Sequence, residues 1–440
     1  MPDLKRTQLS VRSERALLAG AFFPGSGDSH DESLSELDSL ARTAGAKVIA
    51  KVAQRRLGPD ATYFFGRGKA EELAEMSVSL DIDVILCDNN LTPAQIKNLE
   101  QLTGTKVIDR TELILDIFAT RARTRQARAQ VELAQLEYSL PRLKRLWTHL
   151  SRFEGGIGMR GPGEQQLEVD RRLVGKRILR LKKEIREIQE RKVREVESRG
   201  EEFTVSLVGY TNAGKSTLMN ALTDAGVFVE NRLFATLDTK THICVLNDHR
   251  KVLLSDTVGF IRDLPHNLVA SFHATLEEVC RAELLLHVVD VSAPDMWQQV
   301  ESVNEVLGAL GAHEKPTIIA LNKADKLDGA QDTAASLRDS PLFNSRFEDF
   351  VVTSALLGTG IDELKRHISE HMQRLEVDAT VSTHAGNGKL LAYLSHCGRV
   401  LGTEYAGEEA RVRLRIPPRR LAKVKGMGGT YTIEPNKPLS

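Results

Sequence analysis

The sequence predicts an α/β protein of several domains, and three observations carry that prediction. Residues 15–108 and 201–375 alternate apolar runs of strand length with amphipathic helical segments, which is typical of mainly parallel sheets flanked by helices. Residues 111–200 show only helical periodicity. At 440 residues the chain is too long for one hydrophobic core. We therefore expect four parts, namely a small α/β domain (1–110), a long antiparallel helical hairpin (111–200), a second α/β domain (201–375) and a small α+β domain (376–440).

The first domain is predicted from short apolar runs that alternate with helical segments. Strands are expected at 15–22, 47–53, 82–87 and 106–108, and helices at 34–44, 70–80 and 93–103. The turn Gly66-Arg67-Gly68-Lys69 has two interpretations: it could seat a phosphate, or it could cap the helix that follows. The preceding strand is weak and no Ser or Thr follows Lys69, so the sequence favours the cap.

The middle region is predicted to form two long helices with apolar seams. These seams are Leu133, Leu136, Leu140, Leu143, Trp147 and Leu150 on the first helix and Val174, Ile178, Leu181, Ile185 and Ile188 on the second. Spacings of three and four residues place each set on one helix face. Pro141 is expected to kink or split the first helix. Residues 155–163 contain five glycines, which predicts a tip without helix, and arms of about 30 residues would hold it roughly 45 Å from the base.

The charge of the chain sums to zero but is unevenly distributed. Residues 121–199 hold 21 Lys and Arg against 11 Asp and Glu, whereas the remaining residues hold 39 against 49. A basic arm of this kind is typical of a surface that binds a polyanion, with nucleic acid as the first candidate. Met159 and Arg160 among the tip glycines suit insertion into folded RNA. The alternative is a hairpin that packs on its own domain, with the tip as a connector.

A phosphate-binding loop is the most informative motif in the chain. It matches G-x-x-x-x-G-K-S, directly follows an apolar run at 203–208, and consists of Gly209, Tyr210, Thr211, Asn212, Ala213, Gly214, Lys215, Ser216 and Thr217. Backbone N–H groups of such a loop surround phosphate oxygens. Lys215 is expected to reach the β- and γ-phosphates, and Ser216 to offer a hydroxyl to Mg²⁺. The sequence therefore predicts nucleotide binding.

A second motif selects the base of that nucleotide. A strand pattern at 317–322 ends in Asn322-Lys323-Ala324-Asp325. The Asp325 carboxylate can accept from two guanine donors that adenine lacks, and Asn322 can bond to N7. Ser354, Ala355 and Leu356 follow another strand pattern and complete the predicted base pocket. The expected ligands are therefore GTP and GDP.

Two further segments are predicted to contact Mg²⁺ and the γ-phosphate. The first contains Phe234, Ala235, Thr236, Leu237 and Asp238, in which Thr236 is expected to be the second metal-binding hydroxyl beside Ser216. Thr239 and Thr241 are competing candidates. The second segment is Asp256, Thr257, Val258 and Gly259, after a strand pattern from 251 onward. Asp256 is expected to hold the Mg²⁺ shell, and the Gly259 N–H to sense the γ-phosphate.

The predicted catalytic machinery departs from that of many GTPases. A Gln after D-x-x-G often orients the attacking water, but this position is Phe260 here. Asn212 matches the position from which some GTPases coordinate K⁺, and the alternative is that it only braces the loop. The predicted catalytic residues are Lys215, Asn212, Gly259 and Thr236. Slow intrinsic hydrolysis, stimulated by a partner, is expected.

The composition excludes several classes of protein. No apolar run approaches the roughly 20 residues that cross a bilayer, and residues 1–20 lack the apolar core of a secretory signal. Cys87, Cys244, Cys280 and Cys397 show no C-x-x-C spacing, which favours reduced thiols over metal ligands. We expect a cytoplasmic protein without a transmembrane segment or a DNA partner, monomeric when free.

Taken together, these motifs resemble the HflX family. The resemblance rests on Asp-Asn-Asn-Leu-Thr-Pro at 88–93, the glycine-rich tip ending in Pro162-Gly163-Glu164, the phosphate loop, Leu-Phe-Ala-Thr-Leu-Asp at 233–238 and Asp-Thr-Val-Gly-Phe-Ile-Arg at 256–262. It implies a bacterial GTPase that binds the large ribosomal subunit and its RNA and splits stalled ribosomes under stress. It further implies that the hairpin tip points toward the peptidyl-transferase centre and that Ser216 and Thr236 bind Mg²⁺. Residues 376–440 carry no motif that predicts a role.

Three other functions agree with the residues. They are a large-subunit assembly GTPase, an ATP-driven RNA remodeller that acts through the first domain, and a signalling switch with a protein partner and no RNA. Binding that is insensitive to salt would indicate the signalling switch, because contacts with phosphates weaken steeply as salt rises.

Overall fold

A computed structural model of the chain describes residues 11–24, 30–147, 162–199, 202–223, 233–234, 236, 239–262, 278–327, 341–347 and 349–434. Within these residues and in chain order, a parallel sheet is followed by a pair of long helices, a mainly parallel sheet and an antiparallel sheet. The predicted α/β fold class, with a helical hairpin and an α+β end, is confirmed.

The first sheet is parallel, with strand order β2-β1-β3-β4. Its elements are β1 (Arg15–Phe22), α1 (His30–Ala44), β2 (Lys47–Arg55), α2 (Arg67–Ser79), β3 (Val84–Cys87), α3 (Pro93–Thr103), β4 (Lys106–Asp109) and α4 (Arg110–Arg121). Polar caps start two of the helices: Thr92 and Gln95 form a capping box on α3, and the Asp109 carboxylate accepts from the Glu112 N–H on α4. Gly66 caps α2 while its N–H donates to Gln54, as the cap interpretation predicts.

The middle region forms two long helices, α5 (Arg125–Trp147) and α6 (Pro162–Arg199). Leu133, Leu136, Ile178, Leu181 and Ile185 of the predicted seams pack together between them. Ion pairs cross the same contact: Arg177 forms a bidentate pair with Glu132 at 2.7 Å, and Arg125 lies 2.7 Å from Glu184. The partner number falls from 184 to 177 as the α5 number rises from 125 to 132, so the helices are antiparallel.

The structure excludes one of the two alternatives expected at Pro141, the split, and corrects the expected state of Gly163. The chain does not split at Pro141, because α5 remains helical from Arg125 to Trp147. Contacts on both sides hold that turn in place: the Tyr138 hydroxyl and the Arg142 guanidinium both bond to the Asp109 carboxylate. Gly163, predicted in a tip without helix, lies in α6, which begins at Pro162. Proline suits the first turn of a helix because the N–H there needs no intrahelical partner. Residues 155–161 of the predicted tip lie outside the described residues.

The central sheet has strand order β10-β9-β8-β5-β7-β6, in which only β6 is antiparallel to its neighbour. Its elements are β5 (Phe203–Gly209), α7 (Lys215–Thr223), β6 (Lys240–Val245), β7 (Lys251–Asp256), β8 (Leu284–Asp290), α8 (Met296–Ala309), β9 (Thr317–Asn322), α9 (Pro341–Arg346), β10 (Phe350–Val352) and α10 (Ile361–Arg374). The carboxyl ends of β5, β7, β8 and β9 meet at one edge, where ligands bind in open parallel sheets.

The final sheet is antiparallel, with order β12-β13-β11-β14. Its elements are β11 (Val377–His384), α11 (Gly388–Cys397), β12 (Arg399–Ala406), β13 (Glu409–Ile416), α12 (Pro418–Gly426) and β14 (Thr430–Ile433). This βαββαβ order with a split pairing is the ferredoxin-like topology. Its core contains Val381, Leu394, Leu414 and Val424.

The first and central sheets share one apolar cluster, in addition to a core of their own. One cluster of buried side chains includes Leu37 and Phe118 from the first region together with Tyr210, Phe234 and Phe260 from the central region. Continuous burial of this kind is typical of the inside of a domain rather than of a loose contact between domains. The nucleotide-site segments therefore pack directly against the N-terminal region.

Candidate guanine-nucleotide site

The phosphate loop links the end of β5 to the start of α7, as the sequence predicts for residues 209–217. Gly209 and Gly214 adopt φ of +148° and +98°. A side chain at either position would collide with its neighbours, because a Cβ would lie 2.3 Å from the Val288 carbonyl oxygen or 2.3 Å from Asn322 Nδ2. The first N–H groups of α7 lack intrahelical acceptors and carry the positive end of the helix dipole. The loop therefore forms a cradle suited to phosphate.

Lys215 is buried beneath that cradle. Its ammonium donates to the carbonyl oxygens of Gly209 at 3.0 Å and Tyr210 at 2.8 Å. Burial lowers the pKa of Lys215 to about 8, although Asp256 nearby acts in the opposite direction. Burial, with Lys215 close by, also lowers the pKa of His287 to about 4, so this imidazole is neutral at pH 7. At pH 7 Lys215 is therefore charged beneath the loop, whereas His287 is not.

Ser216, Thr236 and Asp256 meet at one point. The Ser216 and Thr236 hydroxyls donate to Asp256 Oδ2 at 2.6 and 3.0 Å, and the two hydroxyl oxygens lie 2.9 Å apart. Asp256 is fully buried, and its Oδ1 has no hydrogen-bond partner among the described residues. Hydroxyl and carboxylate oxygens are the ligands that Mg²⁺ prefers, and a buried carboxylate oxygen is costly without a partner. The residues present therefore fit a magnesium ion.

The two competing threonines are occupied elsewhere. The Thr239 hydroxyl donates to Glu278 at 2.9 Å, and the Thr241 hydroxyl pairs with Ser255 at 3.0 Å. Of the three candidates, Thr236 is thus the one beside Ser216. Phe234 is buried, and its N–H donates to the Thr211 hydroxyl at 3.0 Å. Ala235, Leu237 and Asp238 lie outside the described residues.

The segment after β7 passes very close to the phosphate loop. A Cβ on Gly259 would lie 2.8 Å from the Thr211 Cα and 3.0 Å from Lys215 Nζ, so only glycine fits there. Thr257 is buried and donates to the Leu207 carbonyl at 2.6 Å, while Val258 joins the shared core. Phe260 is 2 % exposed and pairs with the loop backbone, through Thr211 N to Phe260 O at 2.7 Å. Its ring belongs to the core that joins the two sheets.

The predicted base pocket is held together by hydrogen bonds. Asn322 donates to the Ala213 carbonyl and accepts from the Ala355 N–H, both at 3.0 Å, so it ties this pocket to the phosphate loop. The Ser354 hydroxyl donates to Asp325 at 2.6 Å. Ala324 is buried, and Leu356 is 75 % exposed at the pocket rim. Thr217 lies in the first turn of α7, beside Ser216.

Sequence reasoning missed two carboxylates that organise the site, Asp290 and Glu36. The Lys323 ammonium pairs with Asp290 at 2.6 Å, and Asp290 ends β8 as Asp256 ends β7. A carboxylate at the carboxyl end of a buried parallel strand was the available signal. Glu36 of α1 accepts from the Tyr210 hydroxyl, and nothing local in the sequence indicates that contact. A cleft of about 400 Å³ beside this contact is lined by Glu36, Asn212 and Asp290.

Comparison with known families matches the three main parts of the chain. Residues 31–119 match the model described as GTP-binding GTPase N-terminal, and residues 121–199 match the GTP-binding GTPase Middle Region. Residues 204–323 match the 50S ribosome-binding GTPase model. The GTPase HflX of Escherichia coli (strain K12) is 42% identical over 405 residues, which cover 92% of this chain and 93% of that protein. The chain belongs to the HflX family of GTPases.

Other relatives extend over nearly the whole chain. The GTPase HflX of Magnetococcus marinus is 44% identical and covers 94% of this chain and 95% of its own length. The corresponding HflX of Lacrimispora saccharolytica is 42% identical, with 95% and 97% covered. Members of the HflX family carry a GTPase domain, so the enzyme expected from the motifs, a GTPase, is confirmed.

A solved structure titled as the complex of SsGBP with GDP is also similar to this chain. It is 26% identical with a TM-score of 0.46, and the match covers 82% of this chain and 99% of that chain. A second, from Sulfolobus solfataricus and also titled as a GDP complex, is 25% identical with a TM-score of 0.43.

Among the residues that the structure describes, no helix combines the length and the apolar character that a membrane crossing requires. No group of three or more His, Cys, Asp or Glu there is arranged to hold a metal ion, and the four cysteines are free thiols.

Proposed function

We propose that the chain is a GTP-gated cytoplasmic factor that binds the large ribosomal subunit and its RNA through the basic hairpin and splits stalled or stress-arrested ribosomes. The GTP form binds, and hydrolysis drives release. The observation that carries this proposal is the shared core, in which Phe234 and Phe260 of the nucleotide site pack in one cluster with α4, the helix that leads into the hairpin. The match of residues 204–323 to the 50S ribosome-binding GTPase model supports the partner.

In this proposal each segment of the nucleotide site binds a different part of GTP. Lys215 and the phosphate loop bind the β- and γ-phosphates, while Asn322, Asp325 and Ser354 to Leu356 bind guanine. Ser216 and Thr236 hold Mg²⁺ with Asp256 behind them, and the ion supplies charge neutralisation at the phosphates when bound. The Gly259 N–H contacts the γ-phosphate. Because Thr236 and Gly259 lie on separate loops, loss of the γ-phosphate releases two loops that pack against the first region.

The hairpin offers a surface suited to RNA. The exposed cations along α6 include Arg171, Arg172, Lys176, Arg180 and Arg186. The ion pairs between α5 and α6 employ other residues, Arg125, Arg177 and Lys182, so the exposed set is available to phosphates. At about 1.5 Å per residue, α6 extends roughly 57 Å, which is long enough to carry the tip well away from the nucleotide site. Contacts of this kind supply affinity that falls steeply with salt.

K⁺ assistance of hydrolysis is a separate part of the proposal. Asn212 is exposed beside the phosphate loop, with φ of +61°, so its amide oxygen is free to face a cation between the phosphates. Hydrolysis is expected to be slow without a partner and faster in K⁺ than in Na⁺. Asn212→Ala should abolish that difference while GDP affinity stays unchanged. Equal K⁺ dependence in the variant would rule out the role of Asn212.

The test of splitting uses intact ribosomes mixed with the protein and a non-hydrolysable GTP analogue, followed by sucrose-gradient sedimentation. The wild-type protein should convert intact ribosomes into subunits, and a variant that lacks residues 155–163 should not. The variant must retain ribosome-free GTP hydrolysis and the helical content of the hairpin, which controls for misfolding. Splitting by the tip deletion at the wild-type rate would contradict the proposal.

The same gradient distinguishes the large-subunit assembly GTPase. An assembly factor would co-sediment with immature large subunits and leave mature ribosomes intact in the analogue state. An ATP-driven remodeller would turn over ATP after Lys215→Ala, because its site would lie in the first region, where Gly66 serves as a helix cap.

A further inference from the structure

Arg110, the first residue of α4, is a buried cation between the two α/β regions. It is 1 % exposed. Its guanidinium bonds to Asp88 at 2.6 Å and to Glu36 at 2.5 Å, both in the first region, and donates to the Arg262 carbonyl at 3.3 Å in the central region. The Arg262 guanidinium lies 3.5 Å from Glu36, so two cations face two carboxylates. A buried group of this kind persists only when its charges are paired and hydrogen-bonded.

This cluster holds two segments of the nucleotide site. The Tyr210 hydroxyl, on the second residue of the phosphate loop, donates to Glu36. The same oxygen accepts from the Arg262 N–H at 2.9 Å, three residues after Gly259. One carboxylate of the first region therefore fixes both the phosphate loop and the segment that carries the γ-phosphate sensor.

The same helix reaches the third nucleotide segment. Phe118 lies eight residues beyond Arg110, about 12 Å along α4. Its ring packs edge-on against Phe234, with centroids 4.6 Å apart and planes at 79°. Phe234 lies two residues before Thr236. The helix α4 thus contacts the segments before Thr236 and after Gly259 directly, and it reaches the phosphate loop through Glu36 of α1.

Asp109, the neighbour of Arg110, faces the hairpin instead. Its carboxylate accepts from the Tyr138 hydroxyl at 2.5 Å and from the Arg142 guanidinium at 2.8 Å, both on α5. The Arg142 guanidinium also stacks on the Tyr138 ring at 3.7 Å. Two adjacent residues at one helix start therefore contact the nucleotide site on one side and the second half of α5 on the other.

We infer that Glu36 and Arg110 are positioning residues for GTP hydrolysis, and that the Asp109–Arg110 pair couples the nucleotide loops to the hairpin. A misplacement of the loops by about 1 Å costs much of the rate even where binding survives. The positioning role of Glu36 and Arg110 in hydrolysis depends only on the GTPase activity of the family. The coupling of the nucleotide loops to the hairpin rests on the proposed function, because it would transmit the nucleotide state to the ribosome-binding surface. Both the positioning role and the coupling are measured without ribosomes, so their failure is distinguishable from a failure of ribosome splitting.

The first experiment is a double-mutant cycle on ribosome-free hydrolysis with Glu36→Gln, Tyr210→Phe and both together. Each single variant should lower kcat about tenfold with little change in GDP affinity, and the double variant should be no slower than the worse single variant. Tyr393→Phe, which removes a tyrosine hydroxyl bonded to the Arg420 carbonyl in the last region, is the matched control and should leave kcat unchanged. Additive losses, or unchanged kcat in folded Glu36→Gln, would overturn the positioning role.

The second experiment measures amide hydrogen exchange over residues 134–142 of α5. In the wild type, exchange should differ between the GDP and GTP-analogue forms, and Glu36→Gln should remove that difference. Thermal unfolding of each variant shows whether it is folded. Exchange that is the same in both nucleotide states of the wild type would overturn the coupling.

Discussion

Lys215 is buried and has a lowered pKa, and this pKa sets how the site responds to pH. Its pKa of about 8 in the protein without nucleotide reflects burial. Below pH 8 the native and unfolded chains both carry the proton, and between 8 and 10.5 the native chain releases it first. Nucleotide-free stability should therefore rise with pH in that window, since the unfolded state binds more protons.

We predict the opposite trend for nucleotide binding. Phosphate oxygens favour the charged ammonium, so binding above pH 8 must take up a proton. GDP affinity should be nearly constant from pH 7 to 8 and then weaken by up to about tenfold per pH unit. Calorimetry in two buffers of different ionisation enthalpy measures the uptake directly, at pH values where the terminal phosphate is fully ionised. No uptake at pH 9 would show that Lys215 does not titrate in this range.

Phe260 stands where many GTPases carry a catalytic Gln, yet its ring lies in the shared core at 2 % exposure. Phe260→Gln should therefore not restore a catalytic water. We predict a loss of about 2–4 kcal/mol in stability, because an amide replaces buried apolar surface, and no rise in kcat. Leu57→Gln, at a position 94 % exposed, is the control and should be neutral. A faster folded variant would show that position 260 reaches the γ-phosphate.

At the scale of residues, local chemistry made much of the site predictable. The glycines, Lys215 and Ser216 are set by spacing along one strand, one loop and one helix start, and the structure brings them together as expected. The sequence favoured Thr236 but could not exclude Thr239 and Thr241, since only tertiary contacts show that Glu278 and Ser255 engage the other two. Glu36 was missed because its bond to Tyr210 spans 174 residues and leaves no periodic signal.

Among the elements, α5 shows how tertiary contacts override a local preference. Proline inside a helix removes a hydrogen bond and clashes with the preceding turn. The chain nevertheless stays helical through Pro141, where Tyr138 and Arg142 are anchored on Asp109. The helical periodicity of the seams predicted the pairing of α5 with α6 correctly. Of the two alternatives at Pro141, a kink or a split, the split does not occur, and sequence could not exclude it because the anchor Asp109 lies 29 residues away from Tyr138 in sequence.

Pro141→Ala should therefore stabilise α5. Removing the clash should raise the local free energy of unfolding of the helix by about 1–3 kcal/mol. The conformational entropy that the unfolded chain regains without proline reduces this gain. Slower amide exchange over residues 134–147 would show the gain. Pro93→Ala is the matched control, because Pro93 occupies the first turn of α3, where proline is favoured, and it should give no gain. Unchanged or faster exchange in Pro141→Ala would contradict this account of the helix.

The whole molecule is organised around the joint between the first and central regions. Alternating strands and helices predicted both parallel sheets, and the last region was predicted as α+β, as its antiparallel sheet with two helices shows. The joint itself was not predictable. It is made by single residues from distant segments, such as Arg110 and Arg262, whose burial depends on the packing of complete sheets.

In the proposed function, GTP gates the binding of the large ribosomal subunit by the hairpin. The most direct test of this gating is co-sedimentation of the protein with purified large subunits in GTP-analogue and GDP forms. Binding should be about tenfold tighter or more with the analogue, a coupling typical of allosteric proteins. Arg172→Glu with Lys176→Glu on α6 should weaken it, whereas Arg374→Glu with Lys389→Glu, exposed elsewhere, should not. Equal affinity in the two nucleotide states, or binding that is indifferent to the α6 charges, would contradict the account.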